Sequence, residues 1–280
     1  MRFRRRKARP FGLPPTAPLA VEAPPAARRR GIYLLPNLFT MAALFSGFFA
    51  IVQAMGNRFE LAAIAIFAAM VLDGMDGRVA RLTNTQSAFG EQFDSLSDMT
   101  SFGVAPALVM YEWILKDLGR WGWAAAFVYC AGAALRLARF NANLGVVDKR
   151  FFQGLPSPAS AALIAGFVWL AIDNKFPIRD AWLPWVAFAL TVYAGFTMVS
   201  SAPFYSGKSF HVGRSVPFWV LVALIGLIFV VSSDPPIALF TLFCAYAFSG
   251  YVYWAWRWFR GEANPAKPEK PTPPEPPKVA

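Results

Sequence analysis

The sequence predicts an all-α protein, a polytopic integral membrane bundle of about eight transmembrane helices. Of its 280 residues, 56% are hydrophobic and only 15% are charged, and the mean hydropathy is +0.42. A soluble domain carries about 25% charged residues. Apolar windows of about 20 residues, the length that crosses the hydrocarbon core of a bilayer, follow one another with short connections. These observations exclude a soluble enzyme, a disordered protein and a fibrous protein.

Eight apolar windows supply the predicted helices. The second, third and fourth windows contain charged residues, whereas the others are almost free of charge. The connections are short and no internal repeat is visible, which favours one membrane-embedded domain at residues 33–260. In chain order, the windows are 34–55, 60–81, 92–115, 121–144, 157–173, 181–203, 216–232 and 236–257.

The two ends of the chain differ from the apolar middle. Residues 1–32 form a basic arm with nine Lys or Arg residues and one Glu, which is typical of contact with anionic lipid headgroups and gives no reason to expect nucleic-acid binding. Residues 261–280 alternate Pro with Lys and Glu, which predicts a disordered tail. The basic residues of the loops place both termini on the cytoplasmic side, in a bacterial inner membrane.

Four aspartates carry the chemistry. Asp73 and Asp76 close the second window, and Asp94 and Asp98 lie in the third. An ionisable residue inside a membrane helix is costly and is a functional candidate by default. The spacings of three and four residues put each pair on one helical face. The short connection makes the two helices antiparallel neighbours, so all four carboxylates are expected to meet near the inner membrane surface.

A cluster of four carboxylates requires cations. In a medium of low dielectric constant the carboxylates repel one another unless cations neutralise them. Oxygen ligands alone select Mg²⁺, Mn²⁺ or Ca²⁺, and two such ions balance four negative charges. Two-metal sites suit displacement at phosphorus. Gly77 and Ala80, on the same face as the first pair, let a bulky ligand approach the backbone, and Arg81 can contact a phosphate.

The stretch from Asp76 to Asp98 reads D-G-x₂-A-R-x₈-G-x₃-D-x₃-D, with Asp73 three residues earlier. It resembles the signature of the CDP-alcohol phosphotransferase family. The resemblance implies a dinuclear divalent-metal site, attack of an alcohol hydroxyl on a CDP-linked substrate, release of CMP, and a homodimer. It implies that Asp98 is also the general base. The implied metal ligands are Asp73, Asp76, Asp94 and Asp98, and the implied CDP-site residues are Gly77, Ala80, Arg81 and Gly90.

Flanking stretches resemble one branch of that family, whose substrates are CDP-diacylglycerol and L-serine. The resemblance covers about residues 33–215 and leaves glycerol 3-phosphate, inositol phosphate and choline open as acceptors. The stretches are LPNLFT at 35–40, SFGVAP at 101–106, RLARFN at 136–141, FQGLPSPA at 152–159 and MVSS at 198–201.

Six further polar residues are predicted at the inner face, level with the aspartates. Asn37 and Thr40 are candidates for the CDP site, although both also suit a helix N-terminus. Four others are candidates for binding phosphate or the serine carboxylate: Arg136, Arg139, Ser157 and Lys208. The alternative role of the three basic residues is snorkelling to the inner interface, and that of Ser157 is a turn at the start of a helix. An ion path through a transporter or a channel would need polar residues across the full depth of the membrane. The predicted carboxylates cluster at one end instead, which disfavours that function.

Overall fold

A computed structural model describes residues 34–83, 85, 87–142, 151–174, 181–205 and 218–261. The basic arm, nearly all of the Pro-rich tail and Lys208 lie outside these residues. The helices are α1 (Leu34–Met55), α2 (Phe59–Leu82), α3 (Ala88–Asp98), α4 (Ala105–Trp113), α5 (Arg120–Ala142), α6 (Ser157–Asp173), α7 (Leu183–Val199), α8 (Phe218–Ser233) and α9 (Pro235–Phe259). A π-helical turn, Met99–Val104, joins α3 to α4, and a 3₁₀ turn, Leu115–Leu118, precedes α5.

The all-α prediction is confirmed, and each predicted window coincides with one helix or, in the third case, with α3 and α4 together. That third window is not one regular helix, because the π-helical turn interrupts it. In the part of the chain that the structure describes, two helical segments are long and apolar enough to cross a membrane, Leu35–Met55 and Pro235–Phe259. Ser157–Asp173 and Leu183–Val199 are apolar but shorter.

Two of the described helices, α3 and α9, begin at residues whose side chains cap the helix. Ser87 precedes α3, and its hydroxyl accepts a 3.1 Å hydrogen bond from the amide of Gly90. Asp234 precedes α9, and its Oδ1 accepts from the amide of Ile237, also at 3.1 Å. Such caps satisfy amides that have no partner within the helix. The helix boundaries at these points therefore follow from local sequence.

Helix α6 is the centre of the bundle. Residues 159–168 are all buried, and the helix packs against α2, α4, α7 and α9. Small side chains allow this close approach: a Cβ added to Gly166 would lie 3.2 Å from the Cα of Phe240 on α9. At the periphery, α8 packs against α9, and most of its described side chains are exposed.

Helix α1 packs along α2 and is bonded to the helix that carries the second pair of aspartates. The hydroxyl of Ser97 donates to the carbonyl of Thr40 at 3.2 Å, and that of Ser101 donates to the carbonyl of Ala43 at 3.1 Å. A Cβ on Gly47 would lie 2.5 Å from the Ser101 hydroxyl oxygen. The contact therefore requires glycine at position 47, and it fixes α1 beside the aspartates.

Two short strands add a feature that the sequence did not predict. β1 (Phe151–Gln153) pairs antiparallel with β2 (Pro203–Tyr205). After β1, Gly154 adopts φ +76°, and its amide donates to the carbonyl of Ala202 at 2.9 Å. A Cβ at this position would lie 2.3 Å from the carbonyl oxygen of Met198. The turn therefore needs glycine both for its conformation and for space.

Candidate active site

The four aspartates come together where α2 meets α3. Carboxylate oxygens of Asp73, Asp76 and Asp94 lie within 4.8 Å of one another. Asp98 lies against Asp73, and Asp94 lies against Asp76, each pair within interaction range. The earlier residue of α2 thus meets the later residue of α3, which is the pairing of antiparallel helices. The clustering deduced from spacing is present in the structure.

The donor set of this cluster fits divalent cations. Oδ1 of Asp94 and Oδ1 of Asp98 are buried and have no hydrogen-bond partner. No described lysine or arginine nitrogen forms an ion pair under 4.0 Å with the carboxylates of the cluster. Buried carboxylate oxygens without partners are costly, and hard divalent ions prefer such ligands. The structure therefore offers the all-oxygen donor set that was predicted.

A cavity of about 240 Å³ opens beside the cluster, and Asp76 and Asp94 form part of its wall. All six residues predicted for the CDP site line it: Asn37, Thr40, Gly77, Ala80, Arg81 and Gly90. Four further lining residues were not among the predicted site residues: Pro36, Thr85, Ser87 and Glu91. The position of Ser87 before a helix could have indicated its place, and Pro36 lies within the stretch LPNLFT. Nothing in the sequence pointed to Thr85.

The buried Thr40 directs its hydroxyl at the aspartate cluster. Its Oγ1 donates to Oδ2 of Asp76 at 2.8 Å and lies 3.3 Å from the carbonyl oxygen of Pro36. The amide of Gly77 donates to the other oxygen, Oδ1 of Asp76. Both oxygens of Asp76 are thus held from the protein side. Asn37, one turn earlier on α1, faces α3, because a Cβ on Gly90 would lie 3.3 Å from its Oδ1.

Arg81 lies over the glycine face of α2. A Cβ added to Gly77 would lie 3.4 Å from Nη1 of Arg81. The Arg81 side chain is exposed and interacts electrostatically with Asp76. A guanidinium group at the edge of a cavity beside carboxylates is available to an anionic ligand such as a phosphate.

Arg136 and Ser157 meet close to Asp98. Nη1 of Arg136 donates to the hydroxyl of Ser157 at 3.0 Å, and the guanidinium group interacts electrostatically with Asp98. Nε of Arg136 is buried and has no hydrogen-bond partner. The structure therefore unites two of the four residues predicted for phosphate or serine binding beside the last aspartate.

Arg139 is engaged with the backbone. Nη1 donates to the carbonyl of Val199 at 2.9 Å, and Nη2 lies 3.0 to 3.2 Å from the carbonyls of Gln153, Met198 and Ser200. In the structure, Arg139 therefore links three segments: the end of α5, β1 and the end of α7.

Comparisons with known proteins show which family the chain is similar to. The family described as CDP-alcohol phosphatidyltransferase matches residues 33–193. The chain is 37% identical over 223 residues to CDP-diacylglycerol–serine O-phosphatidyltransferase of Helicobacter pylori, covering 80% of this chain and 92% of the relative. It is 36% identical over 183 residues to the Methanocaldococcus jannaschii protein of the same name, covering 65% and 79%. For the Saccharomyces cerevisiae protein of that name, identity is 36% over 161 residues, covering 50% and 57%.

Proposed function

Because the chain belongs to the CDP-alcohol phosphatidyltransferase family, we propose that it transfers a phosphatidyl group from CDP-diacylglycerol to the hydroxyl of L-serine. The products are phosphatidylserine and CMP. The observation that carries the proposal is the similarity to relatives named for this activity in a bacterium, an archaeon and a yeast. The cluster of carboxylates supports it, because with bound cations it can stabilise the negative charge that develops on the phosphate oxygens during transfer of a phosphatidyl group.

Asp73, Asp76, Asp94 and Asp98 hold two divalent cations, Mg²⁺ or Mn²⁺, in this proposal. Bound there, the ions supply neutralising charge and polarise the diphosphate of the donor. The unpartnered oxygens of Asp94 and Asp98 support these assignments. The hydrogen bond from Thr40 holds Asp76 in one orientation, as outer partners of metal ligands commonly do.

Asp98 acts as the general base. Its unpartnered Oδ1 can accept the proton of the serine hydroxyl. The hydroxyl oxygen forms a bond to the phosphorus that carries diacylglycerol. The bond between that phosphorus and the oxygen bridging to CMP breaks, and CMP leaves with the electron pair.

The cavity beside Asp76 accommodates the CDP group. Gly77, Ala80 and Gly90 leave room for it to approach the backbone, and Asn37 offers a polar side chain. Arg81 contacts a phosphate from the exposed side.

Arg136 and Ser157 bind the acceptor. The guanidinium group of Arg136 suits the carboxylate of serine, and its position near Asp98 brings the serine hydroxyl to the base. Lys208, outside the described residues, stays a candidate for the same site. So does Arg139, although the described hydrogen bonds of its guanidinium group go to backbone carbonyls.

The enzyme works in a membrane, with the eight helical windows as spans and the site on the cytoplasmic side. The basic residues before α1 and at the ends of α2 and α9 support this orientation. A bacterial inner membrane and a homodimer complete the proposal. Placed so, the site receives soluble serine from the cytoplasm, while the acyl chains of the donor stay in lipid.

The test is release of CMP from CDP-diacylglycerol by the purified protein in detergent. Serine, glycerol 3-phosphate, inositol phosphate and choline are compared, with Mg²⁺ or Mn²⁺ and with a chelator. Serine-dependent and metal-dependent release, with phosphatidylserine as the lipid product, is expected. Release with another acceptor would overturn the assignment of serine, and no release with any acceptor from folded, metal-loaded protein would overturn the proposed reaction.

A further inference from the structure

The helix that carries Asp98 changes its geometry immediately after that residue. The π-helical turn begins at Met99, and the amide of Ala105 donates to the carbonyl of Thr100, five residues earlier. Turns of this kind are rare and are frequently found at functional sites. The turn therefore sets how Asp98 is oriented relative to α4, which is anchored in the core.

The π-helical turn also contains a backbone carbonyl whose usual donor is missing. In an α-helix, the carbonyl of Phe102 would accept from the amide of residue 106. That residue is Pro106, which has no N–H group. Because Phe102 is fully buried, its carbonyl needs a donor other than residue 106.

Tyr129 on α5 supplies that donor. Its hydroxyl donates to the carbonyl of Phe102 at 3.0 Å, and its side chain is completely buried. Arg136, seven residues later on the same helical face, interacts with Asp98. Helix α5 thus bonds to the segment at Phe102 and places a positive charge near Asp98, four residues earlier.

We infer that Tyr129 is a positioning residue for Asp98, acting through the carbonyl of Phe102. The inference rests on the proposed function, in which Asp98 is the base and a metal ligand. Without the hydroxyl, the π-helical turn is free to shift along the helix. A shift of one residue turns the neighbouring side chains by about 100°, which takes Asp98 away from Asp73. Phenylalanine would fill the same volume, so the hydroxyl is the part of Tyr129 that matters.

The test compares Tyr129→Phe with Tyr193→Phe. Tyr193 is a matched control, because its hydroxyl donates to a helix carbonyl, that of Ala247, at 2.8 Å, away from the aspartates. In Tyr129→Phe, amide hydrogen exchange in the segment 99–106 accelerates about tenfold. Mn²⁺ affinity, measured by paramagnetic resonance of the free ion, falls about tenfold. The kcat falls, and the KM for serine stays unchanged. Tyr193→Phe changes the melting temperature without these effects.

A rescue variant tests the route through the carbonyl. Pro106→Ala restores the amide that Phe102 lacks, so adding it to Tyr129→Phe recovers the slow exchange and the Mn²⁺ affinity. Equal exchange and equal Mn²⁺ affinity in Tyr129→Phe and Tyr193→Phe would overturn the inference, as would failure of the rescue in folded protein. Exchange is measured without metal or substrate. If the wild-type protein proved inactive, the proposed reaction would be refuted. The exchange rates of the two variants would still decide whether Tyr129 holds the π-helical turn.

Discussion

Thr40 on α1 donates a 2.8 Å hydrogen bond to Oδ2 of Asp76 on α2, between residues 36 positions apart in the chain. Both side chains are buried. The sequence predicted Thr40 as a CDP-site residue, and it does line that cavity, yet its hydroxyl is directed at a carboxylate of the cluster. This contact makes α1 part of the site, because it orients the carboxylate of Asp76, a proposed metal ligand, from outside the pair of helices that carries the aspartates.

Replacing Thr40 by valine tests this contact. Valine keeps the shape of the side chain and removes the hydroxyl, so Oδ2 of Asp76 loses its donor while the amide of Gly77 still bonds Oδ1, and we expect about tenfold weaker Mn²⁺ binding. Thr40→Ser keeps the hydroxyl and is expected to retain most of the affinity. Mn²⁺ titration of the purified variants measures both. Equal affinity in the valine and wild-type proteins would show that the bond does not support the metal site.

Replacing Asp98 by asparagine tests the general base. Asparagine has the same size but accepts no proton from the serine hydroxyl, so CMP release should fall by a factor of about 10² to 10⁴. The melting temperature should change little. Asp173→Asn, at the exposed end of α6, is the control and should keep full activity. Full activity in Asp98→Asn would refute the role of the base.

Replacing Gly77 and Gly74 by alanine, one at a time, distinguishes two effects of a new methyl group. One is the higher stability of α2, and the other is the loss of space for a ligand in the cavity. Both glycines lie within α2, where alanine is favoured over glycine by up to about 1 kcal/mol. A Cβ on Gly74 meets nothing within 4 Å, whereas one on Gly77 lies 3.4 Å from Arg81 and borders the cavity. We expect Gly77→Ala to raise the KM for CDP-diacylglycerol several-fold and Gly74→Ala to leave it unchanged. Steady-state kinetics checks this, and equal KM values would argue against CDP binding at this face.

Lysine at Arg139 tests whether this residue links segments or binds substrate. An ammonium group cannot reproduce the fork that reaches the carbonyls of Gln153, Met198, Val199 and Ser200, and hydrogen bonds from charged donors contribute about 1.5–3 kcal/mol each. We therefore expect a lower melting temperature and a KM for serine within about twofold of wild type. Arg78→Lys, at an exposed position of α2, is the control. A raised KM with an unchanged melting temperature would favour substrate binding instead.

Much of the fold was accessible from sequence because it depends on local patterns. The length of each apolar window gave the helices, and the spacing of Asp73 to Asp76 and of Asp94 to Asp98 gave two carboxylate faces that the structure brings together. The windows and the two carboxylate spacings are each encoded within a few turns of one helix. The predicted cavity residues lie on α1, α2 and α3, and they were inferred from the resemblance instead.

The parts that were missed depend on contacts between distant segments. Pro106 indicates that an amide is absent, but only the fold shows that Tyr129 replaces it. The pairing of β1 with β2 joins residues 50 to 54 positions apart, and the hydrogen bond from Arg139 to Val199 spans 60 positions, which no local period encodes. Arg139 was consequently interpreted from its charge, its place at the inner face and the stretch RLARFN, as a candidate for binding phosphate or the serine carboxylate.

The central position of α6 has a consequence for how the protein is made. One side of α6 is covered by α9, the last described helix to leave the ribosome, through contacts such as Gly166 with Phe240. Until α9 arrives, the most buried helix of the finished protein has an open flank. A chain cut before α9 would keep all four aspartates and still lack the wall of its core, so premature termination there should yield a target for membrane quality control rather than a smaller enzyme.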